Sequence, residues 1–292
     1  MLDFVLDQRR RSLGALEVGR VLPAVGHTMV GPFIFLDHVG PVQLPAGLSR
    51  DADVRPHPHI GLSTVTYLFD GEIVHRDSVG AHETIRPGEV NWMVAGRGIT
   101  HSERFEKARR EGDRLHGIQI WVALPDGQEE VAPEFAHYDA AVLPQREHDG
   151  VWLRLIAGQA YGLVSPVKTH SPLFYLHARL EAGAVLELPA EYPERAAYIV
   201  SGAVTVDGAT HHAGRLLAFA AATRAVLAAQ TAAVVMLLGG APVGQRFIDW
   251  NFVSSSKQRI EAAKADWRAG RLKLPDLDQA EFIPLPPEQP DR

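Results

Sequence analysis

Two pairs of metal-binding side chains, each spaced two residues apart, stand at the ends of one glycine-punctuated stretch. The first pair is His57 and His59, and the second is His101 and Glu103. On an extended strand, side chains two apart point to the same face, whereas a helix turns them roughly 200° apart. The residues from His59 to Phe69 are rich in β-branched and aromatic side chains, which is typical of a strand. The spacing therefore predicts strands that direct both pairs into one barrel interior.

The strand that we expect the two histidines to open also predicts which side chains lie beside them. Residues of the same parity should share their face of the strand. These residues are Gly61, Ser63, Val65 and Tyr67. Ser63 could offer a hydroxyl group to a substrate, although filling of the barrel explains each of these residues as well.

Three imidazoles and one carboxylate form a donor set that binds divalent iron, manganese, nickel, copper or zinc. A lone His-x-His arises readily by chance in a chain with 14 histidines, so that motif alone leaves open that no site exists. The second motif, Gly-x-Gly-x-x-His-x-Glu over residues 96–103, supplies two more ligands after a β region. The combination predicts one metal site, formed by His57, His59, His101 and Glu103.

Composition excludes several classes of function. The chain has no cysteine, which excludes disulfides, thiolate nucleophiles and Cys-ligated zinc or iron–sulfur centres. A net charge of −6 gives no electrostatic footprint for direct nucleic-acid binding. No stretch approaches the ~20 apolar residues of a membrane span, and the acidic N-terminus lacks the features of a signal peptide. We therefore expect a soluble, cytoplasmic protein without a membrane partner.

The length of 292 residues predicts about two domains. We expect a metal-binding barrel over residues 1–124, a connecting segment with few strand signals over 125–150, and a second barrel over 151–292. Asp70-Gly71 is expected to form a hairpin turn within the first barrel. The second domain should carry a helix over residues 254–270, begun by a serine cap and ended by Gly270, followed by a proline-rich tail. One face of that helix should pack on a barrel through Ile260, Ala263 and Trp267.

An internal repeat indicates that one barrel is a duplicate of the other. Residues 198–204 echo residues 67–73 at an offset of 131, and residues 212–215 echo residues 86–89 at an offset of 126. Similar turn chemistry in the same order is typical of a duplicated unit. The offsets place apolar residues at all four ligand positions of the second half, namely Leu188, Ala190, Leu227 and Ala229. The second barrel is therefore predicted to hold no metal.

The sequences of these motifs resemble those of the pirin family of bicupins, within the cupin superfamily. The matching stretches are Gly31-Pro32-Phe33, His57-Pro58-His59, His75-Arg76-Asp77-Ser78, Ala95-Gly96-Arg97-Gly98-Ile99-Thr100-His101-Ser102-Glu103 and Leu115–Leu124. General cupins place a glutamate ligand four or five residues after the second histidine, where this chain has Ser63 and Thr64. The pirin variant supplies its carboxylate at Glu103 instead.

This resemblance implies two tandem cupin (double-stranded β-helix) barrels and a single metal ion, most often iron(II), held by His57, His59, His101 and Glu103. It also implies quercetin 2,3-dioxygenase activity, in which O2 opens a flavonol ring and carbon monoxide is released. Two coordination positions would stay open for the aromatic substrate and O2, and Glu103 could act as the catalytic base. The alternatives are an iron-dependent, redox-sensing regulator that binds a protein partner without turnover, a metal that only braces the barrel, and another metal-dependent reaction.

Overall fold

The computed structural model describes residues 1–13 and 16–287. Up to residue 138 its strands are β1 (Leu2–Asp7), β2 (Arg9–Leu13), β3 (Leu16–Leu22), β4 (Phe33–Leu44), β5 (Val54–His59), β6 (Leu62–Asp70), β7 (Ile73–Asp77), β8 (His82–Ile85), β9 (Val90–Val94), β10 (Ile99–Arg104), β11 (Asp113–Ala123) and β12 (Glu134–Tyr138). The later strands are β13 (Gln145–His148), β14 (Val151–Ala160), β15 (Leu163–Val164), β16 (Leu173–Leu180), β17 (Val185–Glu187), β18 (Glu194–Ser201), β19 (Ala203–Val206), β20 (Ala209–His212), β21 (Arg215–Phe219), β22 (Val226–Ala229), β23 (Ala233–Gly240), β24 (Phe247–Asp249) and β25 (Phe252–Ser254). The helical elements of the described residues are a 3-10 turn (Arg50–Ala52), α1 (Glu106–Glu111) and α2 (Lys257–Arg268). The predicted all-β architecture with a C-terminal helix is confirmed.

Two barrels, each built from a large and a small antiparallel sheet, make up the molecule. The first barrel combines the sheet β12-β9-β6-β11-β4-β3-β2 with the sheet β5-β10-β7-β8. The second barrel combines β1-β21-β18-β23-β16-β14-β13 with β17-β22-β19-β20. The two strand orders match position by position, which agrees with the duplication that the sequence repeat predicts.

In this matched order, β1 occupies the place in the second barrel that β12 occupies in the first. The N-terminal strand is hydrogen-bonded to β21, and the strand from the connecting segment is hydrogen-bonded to β9. Each barrel is thus completed by a strand that lies outside its own half of the repeat. The domain boundaries at residues 124 and 150 stay a prediction. Within them, β1 belongs to the segment 1–124 but pairs in the second barrel, and β12 belongs to the segment 125–150 but pairs in the first.

One local expectation is wrong. Asp70-Gly71 does not form a hairpin, because β6 pairs with β9 and β11 whereas β7 pairs with β8 and β10. The chain crosses there from the large sheet to the small one. The connecting segment also contains two strands, β12 and β13. Both of these strands lie at the outer edge of a sheet and are half-buried or exposed, so they lack the apolar alternation that marks a strand in a sequence.

Strand registers correct the repeat for the second ligand pair. Val74 and Thr205 are equivalent at the offset of 131, and they pair with Arg104 and Ala228, respectively. Residues 104 and 228 differ by 124, so the connection before β22 is two residues shorter than the offset of 126 implies. The equivalents of His101 and Glu103 are therefore Ala225 and Leu227 rather than Leu227 and Ala229. The equivalents of His57 and His59 remain Leu188 and Ala190.

Alternating side chains divide the core between a barrel interior and the interface of the barrels. On β18, Ala197 and Ile199 belong to the apolar cluster inside the second barrel, whereas Tyr198 and Val200 belong to the cluster between the large sheets. This period of two is the one expected for a strand buried on both faces. Leu188, Leu227 and their neighbours fill the interior of the second barrel.

The C-terminal helix and tail lie against the first barrel. Ser256 caps α2 through its hydroxyl, which accepts a hydrogen bond from the Arg259 N–H at 3.3 Å, and the predicted buried face packs against Ile60 and Phe252. The predicted tail continues to Arg292, of which residues 288–292 lie outside the described part of the chain. Within residues 1–13 and 16–287, no helix has the length and apolar character that a membrane crossing needs.

A buried carboxylate anchors the tail to β10. Asp278 is 5% exposed and accepts hydrogen bonds from the Ser102 hydroxyl at 2.6 Å, Arg104 Nε at 3.0 Å and Arg76 at 3.1 Å. Burial raises its pKa, but the bonds from Ser102 and Arg104 outweigh that effect, and the pKa is lowered from the ordinary value of 3.8. The ionised form of Asp278 therefore stabilises the folded chain.

We predict that Asp278→Ala lowers the free energy of unfolding by about 3 kcal/mol, because it leaves the buried Arg104 guanidinium short of a counter-charge. Urea titration monitored by circular dichroism measures this loss. The matched control is Asp276→Ala, since Asp276 is exposed and paired with Lys273 on the surface, where such a pair contributes only ~0–1 kcal/mol.

The same anchor has a defined dependence on pH. A carboxyl group whose folded pKa is depressed stabilises the protein above its unfolded pKa and loses that contribution as the pH falls through the folded pKa. The difference between wild type and Asp278→Ala should thus be full at neutral pH and shrink below pH 3.8. An equal effect of both alanine variants, or a difference that grows on acidification, would contradict the anchor.

Candidate metal centre

Antiparallel pairing of β5 with β10 brings the two predicted ligand pairs together. His101 lies opposite His57, and Ile99 lies opposite His59. The two histidines lie at the C-terminal end of β5, whereas we expected them to begin one strand that runs on to Phe69. The break falls at Gly61, whose φ is +68°, and a Cβ there would lie 2.0 Å from the Val253 carbonyl oxygen. Only glycine fits that position without strain.

The break at Gly61 overturns the expected facing of the residues that follow. Thr66 and Leu68 line the cavity beside the histidines. Val65 and Tyr67 instead belong to the apolar cluster between the barrels. The parity prediction was wrong because the chain passes into a different sheet between β5 and β6.

Three imidazoles converge inside the first barrel. His57, His59 and His101 are buried, and one ring nitrogen of each lies within 4.8 Å of the other two. The Nε2 atoms of His59 and His101 are 3.1 Å apart. Such an approach of ring nitrogens is what a shared cation or a shared proton would stabilise.

Backbone carbonyls orient two of these rings. Nδ1 of His57 lies 2.9 Å from the Arg55 carbonyl oxygen, and Nδ1 of His59 lies 3.1 Å from that of Asn251. A carbonyl oxygen only accepts, so each Nδ1 carries the proton and donates it. In a neutral ring Nε2 then holds a free lone pair, the arrangement that metal-bound histidines adopt.

Burial keeps the imidazoles neutral. It lowers the pKa of His57 to about 4 and lowers those of His59 and His101 well below 6.5, with further lowering by the neighbouring rings. Metals bind the neutral form. Nδ1 of His101 has no hydrogen-bond partner among the described residues, and its Nε2 faces Nε2 of His59. The three side chains thus fit a divalent metal.

Glu103 lies on the same strand as His101 and lines the same cavity. Its carboxylate is not among the atoms that lie within 4.8 Å of one another. It is partly accessible from the cavity but enclosed by the barrel, and burial raises its pKa to about 7. Glu103 as fourth ligand and as catalytic base stays a prediction.

The cavity around the histidines has a volume of about 520 Å³, and its wall includes the aromatic residues Phe35, Phe105, Trp121 and Trp250. Phe35 and Trp121 stack with their ring centroids 4.0 Å apart, and the ring of Trp121 meets that of His59 edge-on at 5.1 Å. Two pairs of polar side chains in the wall are hydrogen-bonded to each other. Arg20 donates two hydrogen bonds of 2.8 Å to Asp37, and the Thr66 hydroxyl donates one of 2.7 Å to Gln119.

Several residues of the cavity were not anticipated. The same parity along β11 places Gly117, Gln119 and Trp121 in the wall, and the alternation of Leu115–Leu124 could have shown this. Asn251 and Ile283 reach the cavity from the C-terminal segment. Their contacts, such as the hydrogen bond from the Ile283 N–H to the Pro56 carbonyl at 2.8 Å, carry no motif by which they could have been found.

Comparison with known proteins places these observations in one family. Residues 15–122 match the family described as Pirin, and residues 175–273 match the family described as Pirin C-terminal cupin domain. A pirin-like protein of Caulobacter vibrioides is 61% identical over 287 residues, covering 98% of this chain and all of the relative. The two barrels are thus tandem cupin barrels, as predicted.

Solved structures show the same fold. A crystal structure of quercetin 2,3-dioxygenase from Acinetobacter baumannii matches with a TM-score of 0.87 and 32% identity, covering 99% of this chain and 97% of that one. A bacterial pirin from Escherichia coli, solved in complex with nickel(II), matches with a TM-score of 0.63 and 21% identity, covering 82% and 99% of the two chains. The second likeness is one of fold alone.

We predict about one tightly bound divalent ion per chain after reconstitution, and its loss in the double variant His57→Ala and His101→Ala. Removing two of three imidazoles leaves too few donors for a mononuclear site. Elemental analysis after desalting gives the stoichiometry. The matched control replaces the exposed His148 and His212 by alanine and should keep the ion. Two ions per chain, or retention by the first double variant, would refute the assignment.

Proposed function

Because the chain belongs to the pirin family, we propose that it is a metal-dependent dioxygenase that opens flavonols such as quercetin with O2. The observation that carries the proposal is the convergence of three neutral imidazoles and Glu103 on one cavity, whose wall includes the stacked rings of Phe35 and Trp121. The relative named quercetin 2,3-dioxygenase, at 32% identity over nearly the whole chain, supports the same reaction.

His57, His59, His101 and Glu103 would hold the metal, for which we propose iron(II), with manganese, nickel, copper and zinc as the alternatives that suit the same donors. A bound divalent ion of this kind supplies Lewis acidity and, for iron, electrons for reaction with O2. The carbonyl groups of Arg55 and Asn251 keep two of the imidazoles in the tautomer that binding requires.

Glu103 is assigned the role of general base. A flavonol must lose the proton of its 3-hydroxyl group before its ring becomes electron-rich enough to react with O2. Burial raises the pKa of Glu103 to about 7 in the metal-free chain, and a bound cation would lower it, so the carboxylate is in the ionised form that can accept a proton at neutral pH. The carboxylate therefore takes that proton and holds it while the ring opens and carbon monoxide is released.

The cavity suits a flat aromatic substrate. Its volume of about 520 Å³ lies within the range of roughly 300–1,000 Å³ found for small-molecule sites. The Phe35 and Trp121 rings offer a stacking surface, and the Arg20 guanidinium lies 4.5 Å from the Phe35 ring centroid. The Thr66 and Gln119 pair offers polar groups that could orient the substrate hydroxyls.

We predict that Glu103→Gln keeps much of the bound metal but lowers turnover of quercetin by about 10²–10⁴, the loss typical of a missing general base. Glutamine keeps the shape and an oxygen donor but cannot accept the proton. Oxygen uptake and carbon monoxide release by anaerobically iron-loaded protein give the rate, and elemental analysis gives the occupancy. The control is Glu111→Gln, which changes an exposed glutamate at the end of α1.

Two results would overturn this function. The first is an iron-loaded wild-type protein that shows neither quercetin-dependent oxygen uptake nor carbon monoxide. The second is a fully metal-loaded Glu103→Gln variant that turns over as fast as wild type, which would remove Glu103 from proton transfer.

A further inference from the structure

Two tyrosine–histidine pairs cross the interface of the barrels in opposite directions. The Tyr67 hydroxyl lies 2.9 Å from Nδ1 of His177, and the Tyr198 hydroxyl lies 2.9 Å from Nδ1 of His38. The strand registers make the pairs equivalent, because His38 and Tyr67 both pair with Ile118, and their counterparts His177 and Tyr198 both pair with Met236. The duplication thus produced one contact twice, once at each end of the interface.

The hydrogen bonds at the end that contains His38 involve no formally charged group. Nε2 of His38 lies 2.8 Å from Nε2 of His116, and the Tyr198 hydroxyl donates to the Gln8 side-chain oxygen at 2.9 Å. Gln8 packs so closely on Gly19 that a Cβ there would lie 2.2 Å from its oxygen. Every polar atom of this pair therefore has a partner.

The end that contains His177 is different at two equivalent positions. Val234 stands where His116 stands at the other end, since the two residues pair with the equivalent Asp70 and Ser201. Nε2 of His177 therefore has no hydrogen-bond partner among the described residues, although the side chain is 8% exposed.

Arg154 pairs with His177 as Gly19 pairs with His38, so the two residues are equivalent. The side chain of Arg154 contacts the Tyr67 hydroxyl as that of Gln8 contacts the Tyr198 hydroxyl. It donates to the Tyr67 hydroxyl at 3.3 Å and to the Gly88 carbonyl oxygen at 3.2 Å. Its Nε atom is buried without a hydrogen-bond partner in the described part of the chain. A cation therefore stands where the other end has a neutral amide.

A second arginine adds to this charge. The guanidinium of Arg179 lies 4.1 Å from the Trp152 ring centroid, and that of Arg154 lies 5.1 Å from the same ring. These residues, with His177, Tyr67 and Phe69, line a cavity of about 420 Å³, here called the seam cavity. None of the described residues that line it carries a carboxylate, and neither arginine forms a salt bridge with another described residue.

The positive charges of Arg154 and Arg179 also affect the pKa of His177. Burial lowers it first, and Arg154 and Arg179 lower it further, to about 3. The imidazole is therefore neutral at pH 7, so that Nε2 can serve as a donor or an acceptor according to its tautomer. Two guanidinium groups without a carboxylate on the cavity wall stand beside it, and Nε of Arg154 is an unsatisfied donor.

We propose that the seam cavity binds a small anion through a carboxylate or phosphate group. The arginine fork matches the oxygens of either group, which accept charge-assisted hydrogen bonds. Trp152 and Phe69 offer aromatic faces to the rest of the ligand, and the buried His177 Nε2 and Arg154 Nε lie beside the site without hydrogen-bond partners among the described residues. The seam cavity is a second ligand site, independent of the proposed chemistry at the histidines of the first barrel.

The test is isothermal titration calorimetry of the full chain with sodium phosphate and, separately, with sodium benzoate, at an ionic strength held constant with sodium chloride. We expect saturable binding of at least one probe at one site per chain. Arg179→Gln should weaken it by about tenfold or more, as expected for loss of one charge-assisted contact. Arg179 is exposed, so its replacement should leave the circular dichroism and melting curve unchanged.

The matched control is Arg110→Gln, an exposed arginine on α1, which should bind as wild type does. Tighter binding of phosphate indicates a phosphorylated ligand, and tighter binding of benzoate indicates an aromatic carboxylate. If neither probe saturates, or if Arg179→Gln and Arg110→Gln bind alike, the seam cavity is not an anion site. Metal content and dioxygenase assays do not enter this result, so it stands or falls separately from the proposed function.

Discussion

The antiparallel pairing of β5 with β10 is the constraint on which the metal centre depends. It sets His101 opposite His57 and holds ring nitrogens of His59 and His101 3.1 Å apart, at a distance that a bound cation stabilises. The other face of β10 binds the C-terminal tail, because Ser102 and Arg104 donate hydrogen bonds to Asp278. One strand thus joins the site to the anchor that keeps the C-terminal segment against the barrel.

Duplication followed by divergence explains how the two barrels differ. In the first barrel the interior is an open cavity with buried polar ligands, whereas apolar side chains such as Leu188 and Leu227 fill the second. Filling of this kind stabilises a barrel by about 1.5–3 kcal/mol for each large side chain buried. The second barrel and the interface therefore provide apolar core, which lets the first barrel tolerate buried, neutral imidazoles.

The features that sequence could predict are those that rest on local periodicity and motif spacing. The i, i+2 pairs, the repeated Tyr67 and Tyr198 segments and the face of α2 all follow from regular backbone geometry. The facing of β6 could not be predicted, because the single left-handed residue Gly61 changes the sheet to which the chain belongs. The pairing of β1 with the second barrel and of β12 with the first could not be predicted from local patterns, because the paired residues are distant in sequence. The same is true of the contact of Asn251 with His59.

Diffraction at the iron absorption edge, from crystals of anaerobically iron-loaded protein, tests the central claim most directly. We expect one anomalous peak per chain among His57, His59 and His101, with an oxygen of Glu103 about 2.0–2.2 Å from the ion. A peak elsewhere in the chain, a second peak in the other barrel, or a Glu103 side chain turned away from the ion would contradict it.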